Sequence, residues 1–147
     1  MKSSRGRIDA IQLGGAIRGV TGYASYEGQA DELPIAVHGS GSLDITTATA
    51  DQAGLYFPFA AKIISASIYY PTAPTAAAAT VDVGTLADAD KFLNHTAALD
   101  LEDGDREDDV ELITGDIEAG ETVVFGSDGA ATAGEAYVTL VIAPRLA

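Results

Sequence analysis

Residues 54–86 read GLYFPFAAKIISASIYYPTAPTAAAATVDVGTL and form the densest apolar part of this 147-residue chain. From Lys62 to Tyr70 the side chains alternate with a period of two, which is typical of a β-strand. This alternation assigns one face to Ile64, Ala66, Ile68 and Tyr70, and the opposite face to Ile63, Ser65, Ser67 and Tyr69. Because both faces are apolar or small, a single sandwich core is expected to leave part of this strand for a subunit interface.

A second strand follows the first after a loop of small residues. Pro71 and Pro74 are expected to end the first strand, because proline donates no backbone hydrogen bond. The alternation then resumes, and Ala79, Val81 and Val83 share a face. The stretch therefore predicts a pair of core strands joined by an uncharged, alanine-rich loop that suits contact between subunits.

The remaining sequence alternates short strand patterns with turn signals. Strand patterns cover residues 34–37, 43–46, 55–59, 110–113, 122–125 and 135–143, and turns are predicted at residues 39–41, 116–121 and 126–129. Residues 46–54 read as a polar link, and residues 88–98 as one helical turn or an irregular loop with Phe92 and Leu93 inward. About eight short strands with hardly any helix signal predict an all-β fold, an antiparallel, jelly-roll-like β-sandwich.

The last strand pattern, residues 135–143, is fairly apolar on both faces. Ala136, Val138, Leu140 and Ile142 share one face, and Tyr137, Thr139 and Val141 share the other. Such a strand is expected at the centre of a sheet or beneath a neighbouring subunit.

Length and composition fit one domain. A chain of this size buries roughly two thirds of the surface that its unfolded form exposes, so it can hold a core without disulfides. It contains no cysteine, which excludes a disulfide framework and a thiolate metal site. No run of about 18 apolar residues is present, so we expect no membrane span, no signal peptide and no membrane partner.

Charge divides the chain into two parts. The formal net charge is −14, yet the first 26 residues carry +3, because four cations oppose the single carboxylate of Asp9. The remainder therefore carries −17. Such an acidic body repels phosphates, which need clustered lysine and arginine, so nucleic acid is not an expected partner.

The N-terminal residues are rich in glycine. Six glycines among residues 1–30 disfavour both helix and strand interiors. We therefore predict an extended basic arm over residues 1–30 and a β-sandwich domain over residues 31–147. A terminus of this kind is either disordered or becomes ordered on a partner whose acidic surface meets its positive charge.

Residues 100–111 read DLEDGDREDDVE and contain eight carboxylates in twelve positions. Oxygen-rich segments bind hard cations, but an EF-hand loop needs glycine at position 6, and Gly104 falls at position 5. We interpret the segment as an exposed acidic loop or an incidental cation site. No dedicated metal site and no cofactor are predicted.

Catalysis finds little support in the sequence. His38, in a predicted turn, and His95, in the uncertain loop, belong to no recognisable nucleophile or zinc motif. Carboxylates are so numerous that a pair within catalytic reach arises by chance. Such a pair is therefore no evidence for a glycosidase. The chain is therefore predicted not to be an enzyme, with a hydrolase as a distant alternative.

A longer pattern carries a resemblance to a known family. It consists of LYFPFAAKIISASIYYPTAPTAAAATVDVG, an acidic loop, DIEAGETVVFGSDG and EAYVTLVIAP, and it covers roughly residues 54–144. This order resembles small β-sandwich proteins of tailed-virus particles, in which a strand, a small-residue loop and a strand precede an i-x-A-G-[DE]-x-[VI] turn and a long apolar final strand. The chain is thus similar to capsid decoration, or cement, proteins.

The resemblance implies a structural virion protein on the outer surface of an icosahedral capsid. Family members usually sit as trimers over junctions between major capsid protein subunits and reinforce the shell, which implies a homotrimer with that protein as partner. It also implies that the arm reaches the capsid, through Lys2, Arg5, Arg7, Ile8, Ile11, Leu13, Ile17 and Arg18. Contact between subunits is predicted at Ile63, Tyr69 and Tyr137.

A second hypothesis is a carbohydrate- or receptor-binding β-sandwich of a viral fibre or knob. It would use exposed tyrosines as a sugar-stacking platform and the acidic loop with a bound cation. The six tyrosines of the chain supply such rings, although four of them lie in predicted strands, where core packing explains them.

Overall fold

The computed structural model describes residues 35–76 and 79–145, and within these ranges it contains strands and turns but no helix. Nine strands are described, namely β1 (Ala36–Asp44), β2 (Thr49–Tyr56), β3 (Ala61–Thr75), β4 (Thr80–Gly84), β5 (Leu93–Thr96), β6 (Asp105–Glu107), β7 (Asp116–Ile117), β8 (Thr122–Ser127) and β9 (Ala133–Pro144). The predicted arm lies outside the described residues, and the domain boundary at residue 31 stays a prediction.

The strands form two antiparallel sheets. Sheet one has the order β1-β9-β3-β6, with β7 also pairing with β3, and sheet two has the order β2-β8-β4-β5. The predicted all-β, antiparallel sandwich is confirmed. Strand β9 lies between β1 and β3, which agrees with the central position predicted from its two apolar faces.

Successive strands mostly change sheet. Strands β1, β2, β3 and β4 alternate between sheet one and sheet two, and the connection from β4 to β5 is a hairpin within sheet two. The two core strands of the opening stretch, β3 and β4, therefore face each other across the core rather than pairing. Each sheet joins strands from distant parts of the chain.

The core lies between the sheets. Its largest fully buried side chains are Tyr70, Phe92, Phe125, Leu43, Ile45, Ile63, Ile68, Leu93, Ile117, Leu140, Val81 and Val83. Phe92 and Leu93 point inward as predicted, and the face of β9 that holds Ala136, Val138, Leu140 and Ile142 is buried. Each such large apolar side chain stabilises the fold by roughly 1.5–3 kcal/mol relative to an exposed one.

Strand β3 keeps the predicted period of two but contains a β-bulge that changes its faces. Val141 of β9 pairs with Ser65, whereas the next residue, Ile142, pairs with Ile63, so Ile64 is an extra residue in β3. Ile63 consequently lies in the core, at 2% exposed, and Ile64 lies outside, at 50% exposed. The predicted faces hold from Ser65 onward and are wrong for Ile63 and Ile64.

Strand β3 also continues through both prolines, so the prediction that they end it is wrong. Strand β6 pairs with β3 only as far as Tyr70, and the prolines follow where that neighbour has ended. The backbone N–H of Ala73 donates instead to the Asp103 carboxylate at 2.8 Å. Pro71 and Pro74 are tolerated because this stretch has a strand partner on one side and a side-chain acceptor on the other.

Five other local predictions are wrong. Residues 39–41 form a bulge within one continuous strand β1 rather than a turn, with Gly41 at φ +78°. Residues 46–54 contain most of β2, residues 110–113 form no strand, and the turn predicted at residues 126–129 begins only after β8 ends at Ser127. Residues 93–96, expected in a helical turn or loop, pair with β4 as β5. Pairing with distant strands overrides local propensity at these positions.

Candidate interaction surface

The solvent side of sheet one is built from three aligned rows of side chains. The rows are Val37, Val141 and Ser65; Gly39, Thr139 and Ser67; and Ser42, Tyr137 and Tyr69. Ile64 adjoins the first row at the bulge. We call these ten residues the outer face. The residues that alternate with them on β3 and β9 are buried, so the period of two sets which side chains reach this surface.

The outer face exposes large apolar side chains. Tyr69 and Tyr137, which were predicted at a subunit interface, are neighbours on β3 and β9 and are 42% and 38% exposed. Their ring centroids lie 6.2 Å apart with an interplanar angle of 56°, a separation at which aromatic rings attract each other. Val37 and Ile64 are about half exposed at the other end of the face.

No carboxylate of the described residues lies within these three rows. The flanking row holds Asp44 and Glu135, and the Ser42 hydroxyl donates to the Glu135 carboxylate from the border of the face. The acidic segment, residues 100–111, lies along the side of β3 opposite β9, where β6 pairs with residues 68–70 and the Val110 N–H donates to the Ala66 carbonyl at 2.9 Å. The outer face is thus an uncharged surface that is bordered by Arg106 beside Tyr69 and by the carboxylates of Asp44 and Glu135.

Of the three residues predicted at a subunit interface, two lie on the surface and one is buried. Tyr69 and Tyr137 lie together on the outer face, whereas Ile63 is buried inside the subunit and presents no side chain to a partner. Ile64 and Val37 are the surface residues that the sequence patterns missed, whereas Val141 lies on the face that the pattern shared with Tyr137. Two consecutive isoleucines before a serine indicate that the strand register could shift by one residue at this point. The sequence does not show which of the two isoleucines is buried. The eight predicted arm residues lie outside the described residues.

Both histidines lie in strands rather than in loops. His38, on β1, is half-buried with its ring 6.4 Å from that of Phe57 in an edge-to-face arrangement. His95 lies on β5, and its Nε2 is 2.9 Å from Oε1 of Glu107. The buried Tyr70 hydroxyl donates to the same oxygen at 2.8 Å. Burial, together with the hydrogen bond and charge of Glu107, holds the pKa of Tyr70 well above its ordinary value, so its hydroxyl stays a neutral donor.

Asp82 is the other titratable group in an unusual environment. It lies on β4 between Asn94 of β5 and Gly126 of β8, and its Oδ1 atom is buried with no hydrogen-bond partner. Burial raises the pKa of Asp82 to about 6, and the Asp128 and Asp90 carboxylates add to the rise against a hydrogen bond from Thr80. Among the described residues, no group of three or more histidines and carboxylates is placed to hold a metal ion.

Within the described ranges, no helix is long and apolar enough to cross a membrane. No family model and no curated protein matches the sequence. Among solved structures, the chain is similar to one described as the Cyanophage Pam1 capsid asymmetric unit, with a TM-score of 0.46 and 15% sequence identity over 84% of this chain and 94% of that one. A function for this chain therefore has to follow from its own surface.

Proposed function

We propose that this chain is a non-enzymatic structural protein of a virion that decorates and cements an icosahedral capsid. In this proposal three copies associate through the outer face, and the trimer binds across major capsid protein subunits on the outer surface of the shell. Residues 1–30 supply the basic arm that reaches onto the shell. The resemblance of residues 54–144 to capsid decoration proteins and the antiparallel β-sandwich both support this role.

The observation that carries the proposal is an uncharged outer face on an acidic body. The described residues contain 18 carboxylates and four lysines and arginines. Two such bodies repel each other at most approaches, and like charges brought together at a contact cost several kcal/mol. A second copy therefore meets least resistance where the carboxylates are absent, which is the outer face with its tyrosine pair.

The size of the outer face explains why more than one contact is needed. Three strands and three rows cover on the order of 300 Å² at ordinary strand spacings. A stable interface between two proteins buries about 800 Å² on each partner. The outer face alone is too small, so adjoining loops of the body have to contribute to the contact between copies. The arms act on the shell instead, where three weak arms together give a strongly bound trimer.

A deletion of residues 1–26 tests the proposal. We expect the truncated protein to remain a trimer in sedimentation and to lose binding to DNA-free shells assembled from the major capsid protein of the same genome. Unchanged binding would contradict the role given to the arm. If the full chain itself fails to bind those shells, the cement function is wrong.

The carbohydrate-binding alternative has one observation in its favour, since Tyr69 and Tyr137 place two exposed rings side by side. Tyr70, by contrast, is buried and is not available to a sugar. A glycan array with and without a chelator separates the two functions. A cement protein gives no sugar signal, whereas a fibre knob that uses the acidic segment with a cation loses its signal in the chelator.

A further inference from the structure

One end of the sandwich combines exposed apolar side chains with most of the described cations. Ile35 precedes β1 there, Tyr56 ends β2, Ala61 begins β3 and Arg145 follows β9. The backbone links these strand ends, because the Arg145 N–H donates to the Ala60 carbonyl and the Phe57 N–H to the Glu121 carbonyl, each at 2.9 Å. We call this the basal end. It is where residues 1–34 join the described body.

Aromatic and aliphatic side chains stand open at the basal end. Tyr56 and Phe59 are more than half exposed, and Ile35 is nearly so. At the opposite end, the loops at residues 45–48, 75–76 and 128–132 consist mainly of alanine, threonine and glycine, whereas the segment that follows β5 there exposes Leu99 at 79%. Exposed aromatic side chains, rather than exposed apolar side chains in general, therefore distinguish the basal end.

Charge distinguishes the ends in the same direction. Three of the four cations among the described residues, Lys62, Lys91 and Arg145, lie at or beside the basal end. Lys91 pairs with Glu121, and Arg145 pairs with Glu118 at 2.8 Å. Lys62 lies opposite Asp116 in the pairing of β3 with β7. Three local carboxylates are therefore matched by cations, and Asp88 and Asp90 in the loop that holds Lys91 add two more negative charges, whereas the acidic segment with its eight carboxylates has only Arg106.

We infer that the body stands on the shell by its basal end, with Tyr56 and Phe59 entering apolar recesses of the capsid subunit. This inference rests on the proposed function. It identifies a second surface, in addition to the arm, that contacts the shell. The partner surface has apolar recesses beside acidic groups, because the exposed aromatic side chains favour the recesses and the basic residues 1–26 favour the acidic groups. The acidic segment and the small-residue loops then face away from the shell.

The matched variants are Tyr56→Ser with Phe59→Ser at the basal end and Leu99→Ser elsewhere. Leu99 is 79% exposed, lies outside the basal end and the outer face, and controls for loss of surface hydrophobicity. All three side chains are largely exposed, so thermal unfolding and sedimentation of the variants should match the unchanged protein. Binding is measured by cosedimentation with DNA-free shells of the major capsid protein.

We expect the double variant to bind at least about tenfold more weakly and Leu99→Ser to bind normally. Normal binding of the double variant, with the unchanged chain bound, would overturn the basal contact and leave the cement function standing. Equal weakening by Leu99→Ser, or dissociation of the double variant into monomers, would also overturn it. Failure of the unchanged chain to bind would remove the cement function and this inference together.

Discussion

Tyr70 and His95 come from different sheets and contact the same carboxylate oxygen. The Tyr70 hydroxyl on β3 donates to Oε1 of Glu107 at 2.8 Å, and Nε2 of His95 on β5 lies 2.9 Å from that atom. Glu107, on the edge strand β6, therefore links the two layers of the sandwich. These contacts of Glu107 lie at the edge of the core where the two neighbouring strands, β5 and β6, are both short.

Removing this carboxylate should cost more than removing the hydroxyl. Glu107→Ala leaves the buried Tyr70 hydroxyl without an acceptor and is expected to lower the free energy of unfolding by about 1–3 kcal/mol. Tyr70→Phe deletes the hydroxyl but keeps the ring and the contact of Glu107 with His95, so a loss of about 0.5–1.5 kcal/mol is expected. Urea unfolding of both variants gives the order, and an equal or larger loss in Tyr70→Phe would show that Glu107 does not tie the sheets.

The period of two predicts the core faces of β3 and β9 over most of their lengths. Both strands have neighbours on each side and a core beneath, so burial follows the alternation directly. The bulge at Ile64 could not be predicted, because Ile63 and Ile64 are equally apolar. The register with β9, about 80 residues later in the chain, decides between them.

Substitution of these adjacent isoleucines should separate stability from association. Ile63→Ala opens a cavity in the core and is expected to cost about 2–4 kcal/mol of unfolding free energy. Ile64→Ser removes a half-exposed side chain and should change that free energy by less than about 0.5 kcal/mol while weakening association through the outer face. Chemical denaturation and sedimentation of both variants provide the test. A destabilised Ile64→Ser together with a stable Ile63→Ala would mean that the bulge is misplaced.

The interaction surface was only partly visible in the sequence. Tyr69 and Tyr137 could be assigned outward because each alternates with buried residues on a strongly patterned strand. Val37 could not, since its place depends on the pairing of β1 with β9 across about 100 residues. The absence of carboxylates from the outer face depends on the same long-range pairing. Composition alone shows that the chain is acidic, but it does not show which part of the surface lacks carboxylates.

Asp82 makes stability depend on pH in a definite direction. Its pKa is about 6 in the folded chain against an ordinary value of 3.8, so the folded state holds the proton more tightly than the unfolded state. The stability from this group is present below about pH 4 and is lost as pH rises to about 6. Asp82→Asn should therefore stabilise the protein at pH 8, by about 1 kcal/mol after allowing for solvent screening of a partly exposed group.

The comparison needs both pH values, because many other carboxylates titrate in the same range. We expect the urea midpoint of Asp82→Asn to exceed that of the unchanged protein at pH 8 and the two midpoints to converge at pH 3.5. Asp51→Asn, at an exposed position of β2, is the matched control for loss of one charge. An equal gain from Asp51→Asn would assign the effect to net charge rather than to the burial of Asp82.

The tyrosine pair of the outer face should govern association between copies. Double substitution of Tyr69 and Tyr137 by serine removes two neighbouring rings from an uncharged surface, and loss of an aromatic hot-spot side chain typically weakens an interface by more than about 1 kcal/mol. We expect sedimentation to show a shift from trimer to monomer at micromolar concentration, with thermal unfolding of the monomer little changed because both rings are partly exposed. Leu99→Ser again provides the control, since it removes an exposed apolar side chain outside the face. A trimer that survives the double substitution, or one that Leu99→Ser dissociates equally, would place the contact between copies on another surface.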